Sequence, residues 1–160
     1  MPDASTKPRK NEAMTTPNNS DDYDIDDDPT RISRDAVWAW LEAEAYWGRW
    51  RTRADVDAQI DSSWRVVGVY RAGTNDLVGF ARATSDGVGF AYLADVFIHP
   101  DHQGHGLGKR LMQAMIEDGP GREFRWVLFT ADAHGLYEQF GFAAPDATAM
   151  VRPAAKPSIG

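Results

Sequence analysis

The segment Gln103-Gly104-His105-Gly106-Leu107-Gly108-Lys109 sets three glycines at alternate positions between an apolar run and a run of helical periodicity. Alternate glycines leave the backbone without Cβ atoms and open to φ values that other residues avoid. A helix starting there offers unpaired N–H groups and the positive end of its dipole, and Lys109 and Arg110 add charge beside them. Together these features have the chemistry of a diphosphate site. Spacing excludes two other phosphate loops. A dinucleotide fingerprint needs glycine three residues after Gly106, where Lys109 stands; a P-loop needs Ser or Thr after Gly108-Lys109, where Arg110 stands. A plain strand-to-helix connector has the same spacing, and the loop alone does not separate the two readings.

Asp95 is the only acid between Tyr92 and Ile98, and it sits among apolar neighbours. Desolvation raises a carboxyl pKa and suits such a group to accept a proton or to hold an amine; a buried structural hydrogen bond would use it equally well. His134 is a second proton acceptor, more simply a surface residue of a short helix. His99, His102 and His105 lie close together, but Pro100 and glycines interrupt their segment and no carboxylate pair completes them, so no metal is expected.

Val88 to Ile98 is apolar on both faces, the pattern of a central, covered strand, and it ends at His99-Pro100. After the loop, Leu107, Leu111, Ala114 and Met115 recur at helical spacing until the breaker Gly119-Pro120-Gly121. Upstream, Trp64 to Tyr70 and Leu77 to Ala83 read as strands around a turn at Ala72 to Asp76, and Asp86-Gly87 is a hairpin turn. Ser33 is placed to cap a helix through Leu41 and Glu44 that ends near Gly48, and a second helix is expected at Arg53 to Asp61. Downstream come a strand at Phe124 to Thr130, a short helix capped by Asp132 and ended by Gly141, and a last strand at Met150-Val151. Asp21 to Asp28 is either a solvated acidic run or a short first strand. This order predicts an α/β (α+β) fold with a mixed, mostly antiparallel central sheet flanked by helices.

Residues 1–21 hold almost nothing apolar and are expected to form a disordered tail, ahead of one domain at 22–153 and a flexible tail at 154–160. No apolar run is long enough to span a membrane and no export signal is visible, so no membrane partner and a cytoplasmic location are expected. Without cysteine there is no disulfide and no thiolate nucleophile. A formal net charge of −7 argues against a nucleic-acid partner.

The loop resembles the Q/R-x-x-G-x-G/A signature of the GNAT superfamily of N-acetyltransferases, with Gln103, Gly106 and Gly108 in its fixed places. Phe97-Ile98-His99-Pro100 is similar to the lead-in of that signature. Ala133-x-x-Leu136-Tyr137-x-x-x-Gly141-Phe142 resembles the family's second one, in the right order and at the expected distance. The resemblance covers about residues 23 to 152 and is weakest over the first two helices, where acceptor specificity usually lies.

The resemblance implies direct acetyl transfer from acetyl-CoA, as cosubstrate, to the amine of a small-molecule acceptor in a ternary complex. The central strands would splay, and acetyl-CoA would lie between the strand ending at Ile98 and the one ending near Thr130. Backbone groups of Phe97 and Ile98 would hold the pantetheine arm, and N–H groups of Gly104, His105, Gly106, Leu107, Gly108 and Lys109, after Gln103, would take the pyrophosphate. Tyr137 would be the general acid for the leaving thiolate. The family's usual glutamates fall at Tyr92 and Ala94 and are missing, which leaves Asp95 as the catalytic candidate on that strand. The stretch Tyr92 to Ile98 also resembles that of polyamine-type acetyltransferases without its glutamate. A protein amino-group acetyltransferase and a catalytically silent acyl-CoA-binding module are the alternatives. Trp47, Trp50, Arg49, Arg51 and Arg53 lie on the acceptor side, and they offer π-faces to a cation or guanidinium groups to a carboxylate. A monomer or homodimer is expected.

Overall fold

The structure, a computed structural model, describes residues 22–43 and 50–155. The tail expected over residues 1–21, the helix end near Gly48, the side chains of Trp47 and Arg49, and residues 156–160 lie outside them. Five strands run β1 (Tyr23–Asp26), β2 (Arg65–Arg71), β3 (Leu77–Ser85), β4 (Phe90–Ile98) and β5 (Arg125–Val127), and they stand in that order in one sheet. Neighbours are antiparallel except β4 and β5, which are parallel. That exception follows from the chain. Tight turns join the first pairs of long strands, whereas a crossover helix separates β4 from β5.

Sequence chemistry sets the turns. In the β3–β4 hairpin, Asp86 Oδ1 accepts the N–H groups of Val88, Gly89 and Phe90, and Gly87 takes φ +75°. In the β2–β3 turn Gly73 takes φ +70°. The acidic segment at the start forms β1, paired to β2 from Tyr23↔Arg71 to Asp26↔Gly68.

Alternation along the strands supplies two cores. Val66, Tyr70, Phe80 and Phe97 face α1 (Arg34–Ala43) and α2 (Arg53–Asp61), which bury Val37, Leu41, Val56 and Ile60. Val67, Val69, Ala81, Ala83 and Leu93 face α3 (Leu107–Met112) and Tyr137. Each such aliphatic side chain contributes about 1.5–3 kcal/mol on burial. Ser33 Oγ accepts the Ala36 N–H at the start of α1, and Thr52 and Asp55 form a reciprocal capping box at the start of α2. The helical path of α3 continues as a π-helical turn over Gln113–Glu117, burying Met115 and Ile116. It stops at Gly119, where a Cβ would lie 2.5 Å from the Met115 carbonyl oxygen.

Three expectations change. The fifth strand is shorter than Phe124 to Thr130, because β5 pairs with β4 only as far as Tyr92↔Val127 and then diverges. Met150 and Val151 form no strand; they are exposed, at 95% and 66%. Asp132 does not cap α4 (His134–Glu138); the N-cap is Ala133, whose N–H donates to Thr130 Oγ1.

Candidate active site

The site begins where β4 loses its neighbour. Beyond Tyr92, β4 runs on to Ile98 while β5 has ended, so one edge of β4 is left without a strand. That edge is shaped by a β-bulge. Arg82 pairs with Ala94 and Phe80 with Phe97, so Asp95 and Val96 together stand opposite Ala81. Asp95 carries φ +52°, a left-handed conformation that costs a non-glycine residue about 1–2 kcal/mol, although Asp tolerates it better than most.

The inserted residue shifts the alternation of the strand by one. After the bulge, the His99 N–H donates to the Val78 carbonyl of β3, and Phe97 shares that orientation. Val96 and Ile98 therefore turn their peptide groups to the open edge. Gln103 Nε2 donating to the Ile98 carbonyl, at 3.1 Å, agrees with this. Phe97 and Ile98, both expected here, line the cleft together with Val96. The peptides of Val96 and Ile98 face the open edge, whereas that of Phe97 faces β3.

The Gln103 contact folds the glycine loop back against the end of β4. Gly104 and Gly106 adopt φ +83° and +71°. A Cβ at either would meet nothing within 4 Å, so both glycines border open space rather than packed protein. Gly106 is the N-cap of α3 and brings no side-chain cap, and the Arg110 N–H to the Gly106 carbonyl is the opening helical bond. The N–H groups of Leu107, Gly108 and Lys109 thus precede the helical ladder. Leu107 is buried beneath the loop and Lys109 is exposed. The loop thus offers peptide N–H groups, no crowding Cβ and nearby positive charge, and it fits a diphosphate. His105 is exposed, its ring 5.9 Å from that of Tyr23, whose hydroxyl lies 2.9 Å from His102 Nδ1. Among the described residues no group of three or more His, Asp or Glu side chains is placed to hold a metal.

Tyr137 forms the opposite wall. The α4 turn ends at Gly141, φ +82°, and the Phe142 N–H returns to the Tyr137 carbonyl, so the two rings pack edge to face at 5.9 Å. Tyr137 is buried. Burial first, and the Asp132 charge second, push its pKa up to about 12, so the phenol stays protonated at neutral pH. The cleft between these walls measures about 480 Å³. Trp40 stacks on Phe97 at 4.2 Å and 14°, and Trp38 also packs on that core.

Asp95 points away from this cleft chemistry, into an ionic cluster. Arg51 Nη1 and Nη2 donate to Oδ2 and Oδ1 at 2.8 and 2.9 Å, and Arg82 Nε donates to Oδ2 at 2.6 Å. All three residues are buried. Burial alone would raise the carboxyl pKa, but Arg51 and Arg82 outweigh it and hold Asp95 below the usual carboxylate value. Of the roles open to Asp95, this geometry favours the buried hydrogen-bonded anchor over a proton acceptor. Arg51 meets a carboxylate of its own chain, and Arg53 pairs with Asp35 and Asp57. His134, on the first residue of α4, is exposed. Sequence reasoning missed Val96 and Arg82; a lone Arg82 within Leu77-Val78-Gly79-Phe80-Ala81-Arg82-Ala83 was the one visible signal.

A model of the Acetyltransferase (GNAT) family matches residues 31–142. A Gibberella zeae protein that carries an acetyltransferase name is 32% identical over 136 residues, which cover 72% of this chain and 76% of that protein. Serotonin N-acetyltransferase 2 of Oryza sativa subsp. japonica is 40% identical over 73 residues, covering 44% of this chain. The chain spans 36% of that enzyme's length, and between 27% and 50% of the length of the other curated relatives after the first. A crystal structure from Xanthomonas campestris pv. campestris, described as a gnat-family acetyltransferase, superposes with a TM-score of 0.75 at 32% identity, over 82% of this chain and 93% of that one.

Proposed function

The chain belongs to the GNAT family of acetyltransferases, and from that premise we propose that it is an N-acetyltransferase moving an acetyl group from acetyl-CoA to the amine of a small-molecule acceptor, with both substrates bound together. One observation carries the reading. The open β4 edge, Gly104, Gly106 and Tyr137 line a single cleft. The serotonin N-acetyltransferase name of one relative supports an amine acceptor.

Acetyl-CoA supplies the acetyl group activated as a thioester. The loop N–H groups from Gly104 to Lys109 bind its pyrophosphate, and Gln103 keeps the loop closed on β4. Peptide N–H groups of Val96 and Ile98 orient the pantetheine arm and stabilise charge on the reacting carbonyl oxygen, a contribution that in other acyl transfers reaches roughly 3–4 kcal/mol. Tyr137 gives its proton to the leaving sulfur, and the phenol enters the reaction protonated. An alkylammonium of pKa about 10 must first lose a proton. With both Asp95 oxygens held by guanidinium groups, that proton leaves to water at the acceptor mouth, and Asp95 serves the reaction through the shape of β4.

A second reading, a silent acyl-CoA-binding module, is favoured by Tyr92 and Ala94 standing where family glutamates are usual. A panel of primary amines with detection of free CoA thiol decides between them. Thiol release with at least one amine is the expected result; acetyl-CoA binding without release across the panel would establish the module instead.

A further inference from the structure

The Asp95 cluster lies outside the cleft, yet it sits on the residue that decides which peptide groups enter the cleft. Before the bulge, Ala94 stands opposite Arg82 of β3; after it, Phe97 stands opposite Phe80. Without the inserted residue, Val96 would face Phe80. The peptides of Val96 and Ile98 would then turn to β3 and that of Phe97 to the cleft. Something must hold Asp95 at φ +52° against this simpler pairing.

We infer that Arg51 and Arg82 are positioning residues that clamp the Asp95 carboxylate and so fix the β4 bulge that turns the Val96 and Ile98 N–H groups into the cleft. The geometry is over-determined. Arg51 meets the carboxylate with a two-pronged contact at 2.8 and 2.9 Å, and Arg82 closes on it from β3 at 2.6 Å. Paired planar contacts of this kind fix direction as well as distance. Arg51 is itself fixed. It precedes the Thr52 cap of α2, and its Nη1 also donates to Gln59 Oε1 of that helix at 2.7 Å. The clamp therefore ties the start of α2, on the acceptor side, to the edge that would hold the reacting carbonyl. The titratable Tyr92 side chain also has charge interactions with this cluster.

The kinetic arm of the test rests on the acetyl-transfer reading; a spectroscopic arm does not. Asp95→Asn is the informative variant, because Asn tolerates the left-handed conformation while losing the charge that holds both guanidinium groups. With a reactive amine in hand, D95N and Arg82→Gln should each lower kcat at least tenfold while the acetyl-CoA Kd stays within threefold. Arg51→Lys, the milder change, should lower kcat less and leave the acid limb of the kcat–pH profile in place. Should Asp95 instead accept the proton, R51K would move that limb to higher pH, which would overturn the clamp. So would D95N retaining more than half of the wild-type kcat. In the spectroscopic arm, amide resonances of Val96 and Ile98 should shift in D95N and R51K, with those of α2 and α3 distant from the cluster unmoved. Unshifted Val96 and Ile98 amides defeat the inference even if the wild-type protein acetylates nothing, whereas thiol release absent from the wild type defeats only the acetyl-transfer reading.

Discussion

Replacing Gly106 by Val separates what the loop does for the fold from what it does for the ligand. Gly106 holds φ +71° and ψ +15°, and a Cβ there meets no protein atom within 4 Å. In the free protein the substitution therefore costs backbone strain and little else, about 1–2 kcal/mol for a side chain in the left-handed region. For a domain of this size that lowers Tm by about 2–8 °C. Gly73 provides the control: φ +70°, again nothing within 4 Å, but in the β2–β3 turn far from the cleft in the chain. Gly73→Val should show a similar Tm loss. Only G106V should also lose acetyl-CoA affinity, since its side chain enters the space proposed for the pyrophosphate. Losing one hydrogen bond to a charged group costs about 1.5–3 kcal/mol, or roughly ten- to a hundredfold in Kd. Calorimetric titration of acetyl-CoA into both variants, below their melting range, measures this directly. Equal affinities for G106V and G73V would refute the loop as the pyrophosphate site.

Tyr137→Phe should lower kcat by about a hundredfold or more with acetyl-CoA affinity retained; unchanged thiol release in that variant would remove the acid role. Tyr70→Phe should leave stability unchanged or raise it by about 1 kcal/mol in urea unfolding, because the buried Tyr70 hydroxyl has no partner while Arg31 stacks on the ring at 3.9 Å and would stay; a clear loss of stability would show a hydrogen bond that the structure lacks. Tyr70 and Tyr137 are each pushed by burial from the ordinary 10.0 up to about 12. The folded chain thus holds both protons more tightly than the unfolded chain, so this contribution is complete below pH 10 and is lost as pH rises towards 12. Unfolding measured across that window should weaken steeply in the wild type and less in a Y70F/Y137F double variant, and identical slopes would contradict the shifts.

Much of this protein is written locally. Asp86-Gly87, the glycines of the loop and the spacing of Leu107, Leu111 and Met115 each act over a few residues, through turn geometry, missing Cβ atoms and one buried helix face. The helix at Arg53–Asp61 and the glycine turn that opens α3 were legible for that reason. The ends were less so. Phe124 to Thr130 has strand-like residues throughout, but a strand lasts only while its partner stays alongside, and β5 leaves β4 after Val127. Asp95 shows the same limit at the site itself. Its composition marked a buried acid in an apolar strand, and nothing within reach along the chain said whether its oxygens were free. Its partners stand 44 and 13 residues away, at Arg51 and Arg82. Those distant contacts set its charge environment and accompany the bulge, and the bulge decides that Val96 and Ile98, rather than Phe97, turn their peptides to the cleft. Residue types determined which groups were able to act; folding, by bringing two arginines onto one carboxylate, decided which way the backbone faces.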